Sequence, residues 1–279
     1  MIHINKVTRS WNQTCACVTL VVHFLKGVSM TRTELGRYLS KFLQVSQFKD
    51  YAPNGLQVEG RAEIKKIVTG VSASQALIAK AIELNADALL VHHGFFWKGE
   101  AEVITGMKQR RIKALLTHDI NLFGYHLPLD AHPMLGNNAE LGRKLDISDA
   151  EAVEGVAQGL IWQGRLDTPM TAQDFSTHLA KVLNREPLHI GDDSAEIQRI
   201  AWCTGGAQDY IDHAADLGVD AFISGEVSER TYHSAIELGI HYFAAGHHAT
   251  ERYGIQALGE HLAREFDIEH IFVDINNPV

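Results

Sequence analysis

From residue 30 onward the chain alternates between short apolar runs and longer amphipathic stretches. The runs at Lys66 to Gly70, Ala86 to Val91, Ile120 to Tyr125, Arg199 to Cys203, Asp220 to Ser224, Ile240 to Ala245 and His270 to Asp274 predict strands. Helix-like stretches fall at Met30 to about Gln44, Ser74 to Leu84, Val103 to Leu116 and Asn138 to Leu145, with a long one before the last strand. Thr31-Arg-Thr-Glu34 resembles a capping box opening the first of these. The middle, Glu151 to Asp193, differs: a strand at Val156 to Arg165, a helix at Thr171 to Leu183, and the breakers Pro169, Pro187 and Gly191 read as a connecting layer. Alternating strand and helix predict an α/β fold.

The two flanks repeat each other. Thr69-Gly70 corresponds to Thr204-Gly205, and Glu83-Leu-Asn-Ala-Asp-Ala88 to Asp216-Leu-Gly-Val-Asp-Ala221. The strands that follow end in His92-His93 and Gly225-Glu226, and each half then runs through a helix and a strand to His-x-x-x-carboxylate. An internal duplication predicts two similar sheets whose strand ends face one cleft.

Those strand ends collect side chains that bind metals. His92 and His93 lie at the carboxyl end of a buried strand, where open α/β sheets place ligands. Adjacent there, they can turn to opposite sides, each toward its own ion. His126-Leu-Pro-Leu-Asp130 and His247-His-Ala-Thr-Glu251 end two further strands. A helix starting near Gly246 puts His247 and Glu251 on one face, within reach of one ion. Pro128 predicts an extended loop that aims Asp130 inward and leaves His126 out of direct ligation. His92, His93 and His247 with Asp130 and Glu251 then suit two ions bridged by a carboxylate. Mixed imidazole and carboxylate donors fit zinc, iron, manganese, cobalt or nickel. Glu226 and His126 remain as candidate acid or base, or as groups that orient a ligating imidazole.

Composition narrows the class. Residues 1–29 hold Lys6, Arg9, Lys26, Cys15 and Cys17 but no acidic residue, so 22 basic and 34 acidic residues remain beyond them, a net charge of −12. Their basic start and apolar run Ala16 to Leu25 resemble a secretory signal but lack a small-x-small cleavage site, and they read as an extension before an internal start at Met30. Only Cys203 then remains in the folded part, as a small core residue. A single cysteine supports no disulfide framework, which makes the reducing cytoplasm the expected compartment. No apolar stretch is long enough to span a membrane. The acidic balance disfavours nucleic acid, and Lys108, Arg110, Arg111 and Lys113 read as a solvated helix face.

Tyr51-Ala-Pro-Asn-Gly-Leu-Gln-Val-Glu59, Val91-His-His-Gly94, His126-Leu-Pro-Leu-Asp130, Ser224-Gly-Glu226 and Gly246-His-His-Ala-Thr-Glu251 resemble the NIF-three-like family, also called GTP cyclohydrolase I type 2 homologs, and its short bacterial YbgI branch most closely. The resemblance runs from about Met30 to the end of the chain. It implies di-metal ligation by His92, His93, Asp130, His247 and Glu251, the last shared by both ions. It also implies two interlinked, similar α/β domains with a shared inter-domain cleft, assembled into a toroidal homohexamer. On that pattern residues 30–130 with 252–279 form the first domain and 131–251 the second.

The expected function is a cytoplasmic di-metal hydrolase acting on a small, nucleotide-like or purine-like molecule. The family's name implies opening of the purine ring of GTP, though no guanine-reading motif is legible. A metal-binding toroid that stores or delivers metal, or serves as a partner scaffold, is the alternative. Two further features bear on substrate. Thr204-Gly205-Gly206-Ala207 and Thr69-Gly70-Val-Ser72 read as tight turns whose N–H groups can hold a phosphate. Phe95-Phe96-Trp97-Lys98 reads either as an aromatic wall with a cation, suited to a planar anion, or as a subunit contact. His248 is expected to face away from the ligands.

Overall fold

The computed structural model describes residues 30–279, so the readings of residues 1–29 as an extension or signal, with Cys15 and Cys17, lie outside the described residues. In chain order the elements are β1 Met30–Thr31, α1 Arg32–Phe42, β2 Gly55–Val58, β3 Glu63–Ile64, β4 Lys66–Ser72, α2 Gln75–Glu83, β5 Ala88–His93, α3 Gly106–Thr117, β6 Asn121–Gly124, α4 Leu127–Asp130 and α5 Asn137–Lys144. They continue with β7 Ser148–Ala152, β8 Trp162–Thr171, α6 Ala172–Leu183, β9 Leu188–Ile190, β10 Glu196–Cys203, α7 Ile211–Asp216, β11 Ala221–Ser224, α8 Glu229–Leu238, β12 His241–Ala244, α9 His247–Phe266 and β13 Glu269–Phe272. The expected capping box opens α1: Glu34 N–H donates to Thr31 Oγ1, and Thr31 N–H donates to the Glu34 carboxylate.

Two sheets carry the fold. The first has the order β13-β4-β5-β6-β2, its first four strands parallel and β2 antiparallel at the edge. The second has the order β7-β8-β10-β11-β12-β9, with β10, β11 and β12 parallel and the others antiparallel. The duplication is visible in their hydrogen bonds. Asp87 Oδ2 accepts the N–H groups of Lys65 and Lys66 at 2.8 and 2.9 Å, and Asp220 Oδ2 accepts those of Gln198 and Arg199 at 2.9 and 2.7 Å. Asn85 and Gly218, two residues before these aspartates, both turn through positive φ, at 54° and 66°.

The connecting layer departs from expectation. Val156 to Leu160 is not strand, because Ala157 and Gln158 take positive φ in a 3-10 turn, and β8 instead starts at Trp162. It runs through Pro169, which falls at a register shift against β10, where no ladder N–H is needed. The strands absent from the sequence reading are β1 and β3, a two-residue pair, and β2, β7 and β9, which are sheet edges with partly exposed residues and no apolar run.

Helix α9 joins the two halves. Ala249 in its first turn packs into the core under the second sheet, with Phe175, Trp202 and Phe243. Ile255, Leu258 and Leu262 pack into the core of the first, with Ile67, Leu90 and Phe123. Because α9 is shared, its N-terminal turn is held where the carboxyl ends of β5, β6, β10 and β11 meet. No helix among the described residues is long and apolar enough to cross a membrane.

The equivalence of the two aspartates gives a test of the repeat. Asp87→Ala and Asp220→Ala should each lower the unfolding free energy by about 1–3 kcal/mol in urea titration, since each leaves two backbone donors unpaired.

Candidate metal centre

His92 and His93 close β5, and Asp130 closes α4. His247 and Glu251 occupy the first turns of α9, with Gly246 as its cap, so the expected i, i+4 pair is present. The five side chains converge. His92 Nε2 lies 3.4 Å from Asp130 Oδ1 and 3.4 Å from Glu251 Oε1. The Nε2 atoms of His93 and His247 each lie 3.2 Å from Glu251 Oε2. The histidine pair does not diverge as expected: the rings stay 4.4 Å apart and meet different oxygens of one carboxylate.

Pro128 does not force an extended loop. It sits in the first turn of a short helix, where its missing N–H costs nothing. His126 precedes that turn, and its ring stays beside the cluster, 5.2 Å from His92 and 5.7 Å from His93 between centroids. Donor atoms within 4.8 Å of one another fall into three groups: His92 with Asp130 and Glu251, His93 with His247 and Glu251, and His92 with His93 and His126.

Every imidazole here is anchored through Nδ1. His92 Nδ1 donates to the Tyr125 carbonyl at 3.0 Å, and His93 Nδ1 lies 3.1 Å from Ser72 Oγ. His247 Nδ1 donates to Glu226 Oε1, and His126 Nδ1 to Asp50 Oδ1, both at 2.7 Å. Anchoring one nitrogen fixes the ring and frees the other for ligation. Glu226 therefore holds His247 rather than facing the cluster itself. Asp130 Oδ1 accepts from Asn137 Nδ2 at 2.7 Å and from Thr204 Oγ1 at 3.3 Å.

The donor set fits a metal on an observation independent of spacing. Glu251 is 2% exposed, yet its Oε2 makes no hydrogen bond. An ionised oxygen left without a partner at such depth is costly. Burial alone depresses His92, but the Asp130 and Glu251 carboxylates outweigh it and push the ring up to about 9. Burial opposes a charge on His247 too, and Glu251 and Glu226 bring it to about 9. His93, where burial wins, falls to about 3. Burial raises Asp130, whereas Glu251, despite its burial, is held well below the usual carboxylate range by His93 and His92. The cluster gathers two carboxylates and three imidazoles around a carboxylate oxygen that has no hydrogen bond, and a cation would satisfy that oxygen.

Several supporting residues escaped the sequence reading. Asp50 is the chief one: it is brought down to about 2 because, against its burial, His126, Asn54 and the Tyr51 N–H all donate to it. Asn54 Oδ1 accepts the His126 N–H at 2.7 Å, and Gln57 Oε1 accepts the Phe95 N–H at 2.7 Å. Asn137 and Asn138 are fully buried and link α5 to α9 and to Thr204. Gly205, at φ 71°, is required: a Cβ there would stand 2.1 Å from Glu251 Oε1.

The remaining candidates fall elsewhere. The turn after β10 is a tight turn and not a ring of open donors, because the N–H groups of Thr204, Gly205 and Ala207 go to Asn138, Thr250 and Ser224 side chains, and the Gly206 N–H alone is left toward the cavity. Thr69 to Ser72 lies inside β4. Phe95 is core, Phe96 is capped by Lys108, and only Trp97 of that group lines the cavity beside the cluster. His248 turns away to Asp274, as expected. Cys203 is buried at the cavity wall, where desolvation raises its thiol well above the ordinary range.

Comparison with known proteins agrees with this architecture. The Duf34/NIF3 (NGG1p interacting factor 3) family model matches residues 30–278. A Vibrio cholerae protein named GTP cyclohydrolase 1 type 2 homolog is 56% identical over 252 residues, 90% of this chain and 100% of the relative. One of the same name from Escherichia coli K12 is 54% identical over 250 residues, 89% of this chain and 100% of the relative. Among solved structures, protein ybgI, of unknown function, has a TM-score of 0.86 at 53% identity, covering 90% of this chain and 100% of that one. A Thermus thermophilus protein has a TM-score of 0.81 at 33% identity with the same coverage. The chain belongs to the Duf34/NIF3 family.

Proposed function

We propose that the protein is a di-metal-dependent hydrolase of a small molecule. One ion is held by His92, Asp130 and Glu251, the other by His93, His247 and Glu251, with Glu251 shared. The observation that carries the reading is the cavity of about 560 Å³ that opens directly onto His93, Asp130, His247 and Glu251. A site meant only to store metal has no need of such an opening, whereas catalysis requires one. Divalent ions bound there supply Lewis acidity and a nucleophile at neutral pH.

The chain's own residues do the rest. Asn137 and Thr204 hold Asp130, and Glu226 holds His247, so the ligands are fixed before an ion arrives. His126 lines the cavity with Nδ1 committed to Asp50, which leaves Nε2 free to take or give a proton at the reacting group. Leu127, Leu160 and Ala207 on the wall exclude water from the far side.

A panel of cyclic amides, amidines and phosphoesters, run on metal-loaded protein, tests the reading. Wild type should turn over at least one class, and Glu251→Ala should lose both metal and turnover. His126→Ala should keep its metal and lose about 10²–10⁴-fold in kcat. A fully loaded wild type that hydrolyses nothing sinks the enzyme reading. Glu226→Gln should weaken metal affinity by about 10–100-fold in competition with a chelator, because His247 loses its anchor.

Metal uptake should also release protons. His92 and His247 stand at about 9 without an ion, so below that pH an entering cation must displace their protons. Apparent affinity is expected to rise with pH by up to about tenfold per unit for each proton displaced. It should level off above about 9 in pH-dependent calorimetry.

A further inference from the structure

The lining of the cavity says what it takes. Its aromatic members are Tyr51, Trp97, His126 and Tyr210, with His93 and His247 at the cluster; Trp97 stands edge-on to the His126 ring, 4.9 Å between centroids. Asp130 and Glu251 reach its floor, and Asp50 and Glu226 stand directly behind His126 and His247. Among the described residues, no lysine or arginine lines it. Lys98, beside Trp97 in sequence, is exposed outside the lining, and Lys108 is engaged with Glu100, Ala101 and the Phe96 ring.

Charge then discriminates between ligands. Four carboxylates and two divalent ions cancel in sum, so beyond direct coordination by the ions the site has no excess positive charge to offer. A triphosphate brings roughly four more negative charges, and apart from the ions themselves and the Gly206 N–H the lining offers no side-chain cation to meet them. Three N–H groups of the β10 turn, those of Thr204, Gly205 and Ala207, are already internally bonded, and the His248 N–H at the start of α9 donates to the Val279 carbonyl. Phosphate oxygens that the ions do not coordinate would be desolvated there without a cationic side chain, which is costly. A flat neutral ring meets no such penalty, and it gains stacking area on the aromatic wall.

One polar contact is already prepared. Asp50 accepts from Tyr51, Asn54, Leu127 and His126, so the proton on His126 sits on Nδ1. Its Nε2 is left facing the cavity, where it suits the polar edge of a lactam or amidine.

We propose that the cavity binds an uncharged planar ring with an N–H-bearing lactam or amidine edge, a nucleobase or nucleoside rather than a nucleoside triphosphate. The inference rests on the di-metal reading above and names its substrate class. It narrows what the relatives' name suggests: the ring belongs here, and the triphosphate does not.

Binding of guanosine, hypoxanthine, uracil and GTP to the metal-loaded protein, measured by titration calorimetry, tests it. At least one neutral ring should bind, and guanosine should bind about tenfold or more tighter than GTP. Trp97→Ala should weaken ring binding by about tenfold, the scale of one base–aromatic stack. Metal content and thermal midpoint show whether that variant is folded, and Trp97→Phe should restore most of the binding. Tyr51→Lys, at a rim position 65% exposed, should shift the ratio of GTP to guanosine binding toward GTP by about threefold. GTP binding as tightly as guanosine, or no binding by any neutral ring, overturns the proposal. GTP both preferred and hydrolysed overturns this inference while the hydrolase reading stands. Ring binding without turnover of any panel member does the reverse.

Discussion

Glu251 is buried in the middle of the molecule with an oxygen that no protein donor satisfies, and the surrounding architecture is organised around that carboxylate. Three imidazoles bring their Nε2 atoms to within 3.4 Å of it, each from a ring tied down at its other nitrogen. Such an arrangement is poor as a folding core, since burying a cluster of ionisable groups carries a desolvation cost that their mutual attraction repays only in part. It suits a cation better, because each imidazole is already oriented through its other nitrogen.

The duplication explains how one chain makes it. His126 and His247 occupy equivalent places after the third strand of each repeat, and each carries a carboxylate at Nδ1 at 2.7 Å, from Asp50 in one case and Glu226 in the other. Asp130 and Glu251 are likewise equivalent, four residues on. The halves then diverge. The first supplies two histidines at its middle strand end, the second a glycine and Glu226. The first ends in a helix of one turn and the second in twenty residues of α9. That long helix reaches back to the first core and so fixes the two sets of strand ends against each other.

Much of this was legible before any coordinates. The parallel strands announced themselves as apolar runs because both of their faces are covered, and His-x-x-x-carboxylate after a strand pointed to the ligands. What could not be read were contacts set by tertiary geometry. Asp50 lies 76 residues from the ring it orients, in a segment without periodicity. Asn137 and Asn138 looked like ordinary helix-start residues, yet both are fully buried and bind groups from three other elements. The edge strands were invisible because exposure removes the pattern that reveals a strand. The partners of the β10 turn are invisible for a related reason: Asn138, Thr250 and Ser224, all distant in sequence, take the N–H groups of Thr204, Gly205 and Ala207.

The central claim is that Glu251 is shared between two cations. Anomalous diffraction at the absorption edge of the metal that copurifies with the protein tests it most directly. The expected result is two peaks flanking Glu251, one toward Asp130 and His92, the other toward His93 and His247. A single peak, or peaks away from Glu251, contradicts it.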